Sequence, residues 1–227
     1  MNTLFRPALA VFQKDLMTEL KSKQMVTTML IFAGLVIVTF SFAFDPTSEA
    51  VQVLIPGMIW VITIFSGILG LNRSFLSEKQ NDQLHGMMTA PVDPSGIFLG
   101  KFLANLCFVL IVQGFSIPVL FLLFDYSELT LRTSGWFLLI VFLGTFGFIA
   151  AGTLLAALSS HSKSSEMLLP VLLFPLVMPV LIAAVQATSL LFSEGPEAII
   201  SWLQLMAVYN VIFFFAGFLL FDYVLEV

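Results

Sequence analysis

The sequence predicts an all-α integral membrane protein. It has six transmembrane helices, an interfacial amphipathic helix in front of them, and a polar loop carrying a short helix. Three observations predict this class. Hydrophobic residues make up 59% of the 227-residue chain and charged residues only 10%, with a mean hydropathy of +1.04; a soluble domain is about a quarter charged. Six apolar stretches reach the roughly 20 residues that a membrane-crossing helix needs. They are continuous, without the alternation of a membrane β-barrel. Finally, the basic residues fall on alternate sides of the successive stretches.

The first element, residues 4–23, carries Phe5, Leu9, Phe12, Leu16 and Leu20 at spacings of three or four. That spacing gathers them on one face, as expected of a helix lying on a membrane surface. The apolar run behind it is long enough to span and is not followed by a small-x-small cleavage site, so this is no secretory signal. The expected spans are 25–44, 51–71, 97–124, 135–158, 167–192 and 198–221. Turn-forming segments separate them: Asp45-Pro46-Thr47-Ser48-Glu49, residues 125–132, residues 159–166 and Ser193-Glu194-Gly195-Pro196-Glu197. The whole chain, 1–227, reads as a single transmembrane domain without internal repeats.

Charge sets the expected orientation. With the N-terminus inside, the inner segments hold Arg6, Lys14, Lys21, Lys23, Arg73, Lys79, Lys101 and Lys163, and the outer loops hold Arg132. Under the positive-inside rule both termini and the loops at 72–96 and 159–166 are cytoplasmic. The outer loops carry Asp45, Glu49, Asp125, Glu128, Glu194 and Glu197 instead.

Enzymatic readings find little support. His85 and His161 both fall in loops, and no titratable residue sits deep in a span, where such groups mark ion paths or intramembrane catalysis. Asn105, Gln113, Gln186, Gln204 and Asn210 read as interhelical hydrogen-bonding groups. Cys107 is the sole cysteine and reads as a packing residue. Gly96-Ile97-Phe98-Leu99-Gly100-Lys101-Phe102 imitates a nucleotide-binding loop but has one residue too few between its glycines and Phe102 in place of Ser or Thr. A haem-attachment motif is absent, and Met58, Met178 and Met206 read as packing residues. No catalytic, metal or cofactor-binding residue is assigned to this chain, and no nucleic-acid partner is expected.

The loop at 72–96 is the long polar interruption. Ser77-Glu78-Lys79-Gln80 fits a capping box, with Ser77 as N-cap, and Ala90-Pro91 would end the helix it starts. Leu84, Met87 and Met88 form a small apolar face opposite Lys79 and Asp82. Two readings stand: an interfacial helix on lipid headgroups, or a coupling helix gripped by a soluble ATPase. On the second, Ser77, Glu78, Gln80, Asp82, Leu84, Met87 and Met88 are the contact residues, methionine suiting a surface that repacks. The Ser159–Glu166 loop reads as a solvated turn. Pro170, Pro175 and Pro179 should kink or break the fifth span, for gating or for static shaping of the bundle. In the fourth span, Gly147/Ala151 and Gly152/Ala156 are small-xxx-small pairs that permit close helix approach.

Three segments carry a family resemblance: Ile55-Pro56-Gly57-Met58-Ile59-Trp60-Val61, Pro91-Val92-Asp93-Pro94-Ser95-Gly96-Ile97-Phe98-Leu99-Gly100-Lys101, and Phe174-Pro175-Leu176-Val177-Met178-Pro179-Val180. Together with the span pattern they resemble the CcmB family, the membrane permease of the ABC-type cytochrome c maturation (haem exporter) system. Where that family has an acidic-Gly pair and a Leu-Glu-Gln-Leu-like stretch, this chain has Asn81-Asp82-Gln83-Leu84. The resemblance implies an ABC-2 exporter-like fold in the bacterial inner membrane. It implies a CcmA-like ATPase holding ATP and magnesium, a CcmC-like haem-handling subunit, a small CcmD-like subunit and a CcmE-like haem chaperone. ATP hydrolysis would release the haem-loaded chaperone, and haem would be a substrate of the complex rather than a cofactor of this chain. Membrane lipid and a second copy of the chain are further candidate partners. Trp60, Trp136 and Trp202 are scattered and form no haem-handling motif of the CcmC kind. Competing readings are an exporter for a lipid, drug or glycan, and a scaffold that moves no substrate.

Overall fold

A computed structural model describes residues 2–46, 48–80, 94–126, 131–160 and 165–225. Helices α1 (Asn2–Ser22) and α2 (Gln24–Ala43) lead into a one-turn α3 (Glu49–Gln52). The long helices α4 (Ile55–Gln80), α5 (Pro94–Leu123), α6 (Leu131–Ser160) and α7 (Ser165–Ser193) follow. A 3₁₀ turn (Pro196–Ile199) then opens α8 (Ile200–Leu225). Six helices among the described residues are long and apolar enough to cross a membrane.

The helices overrun the expected spans, mostly at their ends. The largest difference is at α4, which continues from the membrane through Asn72 and Ser77 to Gln80. Ser77 therefore lies inside a continuing helix and is not the N-cap of a new one. No glycine or proline falls between Leu71 and Gln80 to stop the helix, and Phe75 is buried at 3% exposure, which holds the added turns against the bundle. Pro94 begins α5, a first-turn position where its missing N–H costs nothing.

Helix α6 is central, packing against α4, α5, α7 and α8, most extensively against α7 and α8. Glycines make that possible. At Gly144 the Trp60 ring of α4 occupies the space a Cβ would need. At Gly147, Asn210 and Tyr209 of α8 and Val180 of α7 converge, and at Gly152 Leu71 of α4 enters. Ala151 and Ala156 are fully buried beside them. The two small-residue pairs thus seat neighbours from the same chain on different faces of α6. Phenylalanine fills the gaps: Phe102 meets Phe146 and Phe214 edge-on, with ring centroids 4.8 and 5.2 Å away.

The N-terminal helix is fastened rather than merely adsorbed. It packs along the start of α5, where a Cβ on Gly96 would stand 3.0 Å from the Leu4 carbonyl and one on Gly100 2.7 Å from the Ala8 carbonyl. The face turned to the bundle is thus Ala8, Val11 and Asp15. Phe5, Leu9 and Leu20 of the expected apolar stripe are exposed, and Phe12 and Leu16 pack partly on the core. Lys101, at 1% exposure, completes the joint with its ammonium 2.9 Å from Asp15 Oδ2 and 5.3 Å from the Phe75 ring centroid. At the other end of α1, Lys23 takes a left-handed conformation (φ 53°) and turns the chain. There the Glu19 carboxylate accepts the N–H groups of Met25 and Val26 at 3.2 and 2.8 Å, capping α2.

In α7 the chain stays helical through Pro170, Pro175 and Pro179; the helix is not broken as a proline series would suggest. Pro175 and Pro179 lie on its exposed face, opposite buried Leu173, Val177 and Val180. There their rings displace no core neighbour. The Tyr209 hydroxyl donates to the Leu176 carbonyl between them at 3.0 Å, giving the distorted stretch a bond from α8.

Two predictions follow from this packing. Lys101→Met strands the Asp15 carboxylate in a largely buried site and should destabilise the protein by about 3 kcal/mol, read as a lowered Tm in detergent. Adding Asp15→Leu should recover most of the loss, and an undiminished Tm in the single variant would refute the buried pair. Gly144→Ala should lower Tm through overlap with Trp60. Gly34→Ala, where a Cβ meets nothing within 4 Å, should raise stability by up to about 1 kcal/mol through helix propensity.

Candidate functional site

The candidate site is the junction at the α1 end of the bundle, where α4 leaves the apolar layer. Its geometry follows from a change of composition. Up to Leu71 the helix is apolar; beyond it come Asn72, Arg73 and Ser74, still helical. Arg73 reaches α2, its Nη2 donating to Gln24 Oε1 at 2.9 Å and its Nη1 to Thr28 Oγ1 at 3.3 Å. Lys101 of α5 donates to the Ser74 carbonyl at 3.4 Å while it holds Asp15 of α1. Four helices are thereby tied together within two turns of α4.

Of the expected coupling residues, Ser77, Glu78 and Gln80 lie in the last turns of α4. Asp82, Leu84, Met87 and Met88 fall outside the described residues, as do His85 and His161. The Gly96–Lys101 segment that imitates a nucleotide loop is the seat of α1. Sequence reasoning missed the Gly96/Gly100/Lys101 group as a joint, although the spacing of its two glycines is itself a small-xxx-small signal.

Further into the apolar layer a hydrogen-bonded chain crosses three helices. Gln113 Nε2 of α5 donates to Thr63 Oγ1 of α4, and Thr145 Oγ1 of α6 donates to Gln113 Oε1, each at 3.0 Å. Trp60 Nε1 of α4 donates to Thr188 Oγ1 of α7 at 3.0 Å, and Asn210 Nδ2 of α8 to the Leu143 carbonyl at 2.9 Å. Asn105 and Thr153 are fully buried with side-chain polar atoms that lack a partner among the described residues. Satisfied amides hold helices in register, and unsatisfied ones store a cost that another arrangement relieves.

A lateral groove of about 870 Å³ opens between α5 and α6, towards the end of the bundle opposite α1. Ile117, Phe121, Phe137 and Phe142 form apolar walls, and Asp125, Tyr126 and Ser134 lie at its rim. Such a lining suits an amphiphile with an apolar body and a polar end. Among the described residues, no three of His, Cys, Asp and Glu come together as a metal site. Met58 and Met206 are buried in packing, whereas Met178 is 44% exposed. Trp60 is buried, Trp202 half-buried and Trp136 partly exposed.

Residues 6–218 match the family model described as CcmB protein. The chain is 31% identical over 154 residues to the heme exporter protein B of Pseudomonas aeruginosa, covering 67% of each chain. It is 27% identical over 158 residues to the protein of that name in Paracoccus denitrificans, covering 70% of this chain and 71% of that one. With the Escherichia coli K12 protein the match is 29% over 95 residues, spanning only 43% of that relative. A match over nearly the full length, carried by a multi-pass bundle of the expected class, establishes that this chain belongs to the CcmB family.

Proposed function

We propose that this chain is the permease subunit of a haem-exporting ABC system, drawing mechanical work from a separate CcmA-like ATPase. It would sit in the bacterial inner membrane with both termini in the cytoplasm and work with CcmC-like, CcmD-like and CcmE-like partners in releasing haem-loaded chaperone. Family membership and the names of its relatives support the setting.

The observation that carries the mechanical reading is the unbroken course of α4. From Gln80 to Trp60 it is one rod of about 30 Å, at 1.5 Å per residue. A push on the stretch after Gln80 therefore reaches the middle of the bundle without an intervening loop. At its base the same push pulls on α2 through Arg73 and on α1 and α5 through Lys101. At its far end Trp60, wedged on Gly144 and bonded to Thr188, passes it to α6 and α7. The prolines of α7 give that response a compliant element, because the Val171 and Pro175 carbonyls have no N–H donor four residues on.

Two experiments test the proposal. Leu84→Asp with Met87→Asp should abolish co-purification of the ATPase subunit while the protein stays in the membrane; retained co-purification removes the coupling reading. Pro175→Ala with Pro179→Ala should leave the complex assembled and abolish cytochrome c maturation, measured by haem staining. Full maturation in that variant favours a scaffold that moves nothing.

A further inference from the structure

A second pocket, of about 240 Å³, lies beneath α1 at the same end of the bundle. Its charges are answered unequally. Lys101 has Asp15 at 2.9 Å, and the Glu19 carboxylate is taken up by the Met25 and Val26 N–H groups at the start of α2. Arg73 alone in the pocket lining is a cation with only neutral partners among the described residues, the Gln24 amide oxygen and the Thr28 hydroxyl. Those two bonds engage two of the five donors on a guanidinium, and the side chain is exposed. Thr18 and Ser22 of α1 line the same pocket and add hydroxyl groups.

Depth identifies what fits. The apolar stretch of α4 ends at Phe75 and that of α2 begins at Gln24, so Arg73 and Gln24 stand at the boundary between hydrocarbon and headgroups. Phosphate groups are the concentrated anions of that layer. A planar guanidinium fork matches a phosphate through paired hydrogen bonds, and an arginine without a carboxylate partner offers its full charge to one. We propose that this pocket binds the phosphodiester of an anionic phospholipid, with Arg73 as its ligand and the α1 hydroxyls beside it. The bound headgroup braces α4 against α1 and α2 at the base of the segment leaving the membrane. The assignment rests on the pocket and its depth, and holds whichever side of the membrane this end faces.

Native mass spectrometry of the full-length protein in detergent, titrated with phosphatidylglycerol, tests it. Wild type should retain one tightly held lipid, and Arg73→Gln should weaken that binding about tenfold, the scale of a lost charge-assisted hydrogen bond. Lys21→Gln, a basic change on α1 outside the pocket lining, should leave it unchanged. Arg73→Lys keeps the charge without the fork and should weaken binding several-fold; it carries the test if the glutamine variant fails to fold. The proposal is overturned if neither Arg73 variant alters phosphatidylglycerol retention or if Lys21→Gln loses as much as Arg73→Gln. Displacement of the lipid by millimolar inorganic phosphate likewise overturns it, because the ligand is then a free anion.

Discussion

Lipid tails are as apolar as leucine, so hydrophobic burial cannot press membrane helices together; close contact and hydrogen bonds must do it. That constraint organises this bundle around α6. Glycines at 144, 147 and 152 let neighbouring side chains from α4, α7 and α8 rest on its backbone, and Ala151 and Ala156 keep the surface between them smooth. Remove the close approach at Gly144 and Trp60 loses its slot, and with it the hydrogen bond to Thr188 that brings α7 to α4. Bulky aromatic rings then fill the remaining space, which is why phenylalanine accounts for 25 of the residues.

Polar groups obey the same constraint differently at different depths. In the middle of the layer they are neutral and paired across helices, as in the Thr63–Gln113–Thr145 chain. Charges are kept to the ends, where each finds a specific use: Lys101 holds α1, Glu19 caps α2, and Arg73 clasps α2. The joint at the α1 end is therefore electrostatic and directional, whereas the middle of the bundle is held by shape. A force applied to the end of α4 meets stiff connections first and the yielding proline stretch of α7 later.

The spans and their breaks were legible because each rests on local composition. So were the small-residue pairs of α6, whose spacing is visible in ten residues. The seat of α1 was not. Lys101 opens an apolar run and reads as one more inner positive charge, while its partner Asp15 lies far away near the N-terminus and no spacing rule links them. Phe5 and Leu9 advertise the lipid-facing stripe of α1, and the quieter Ala8 and Val11 face the protein, so hydrophobic strength pointed to the wrong side for packing. Ser77 misled because a capping box is a local pattern, and the tertiary burial of Phe75 overrides it by carrying the helix onward. The proline series misled similarly: placed on the outer face, it bends nothing in the core.

The pairing of Asp15 with Lys101 also constrains how the molecule is born. During synthesis the N-terminal helix leaves the ribosome first, yet its seat consists of Gly96, Gly100 and Lys101, which emerge only after two spans have entered the bilayer. Until then Asp15 carries its charge in contact with water or headgroups, and α1 floats on a tether at Lys23. The earliest segment made is thus settled late, and the closing of that joint signals that the first half of the polypeptide has been threaded correctly.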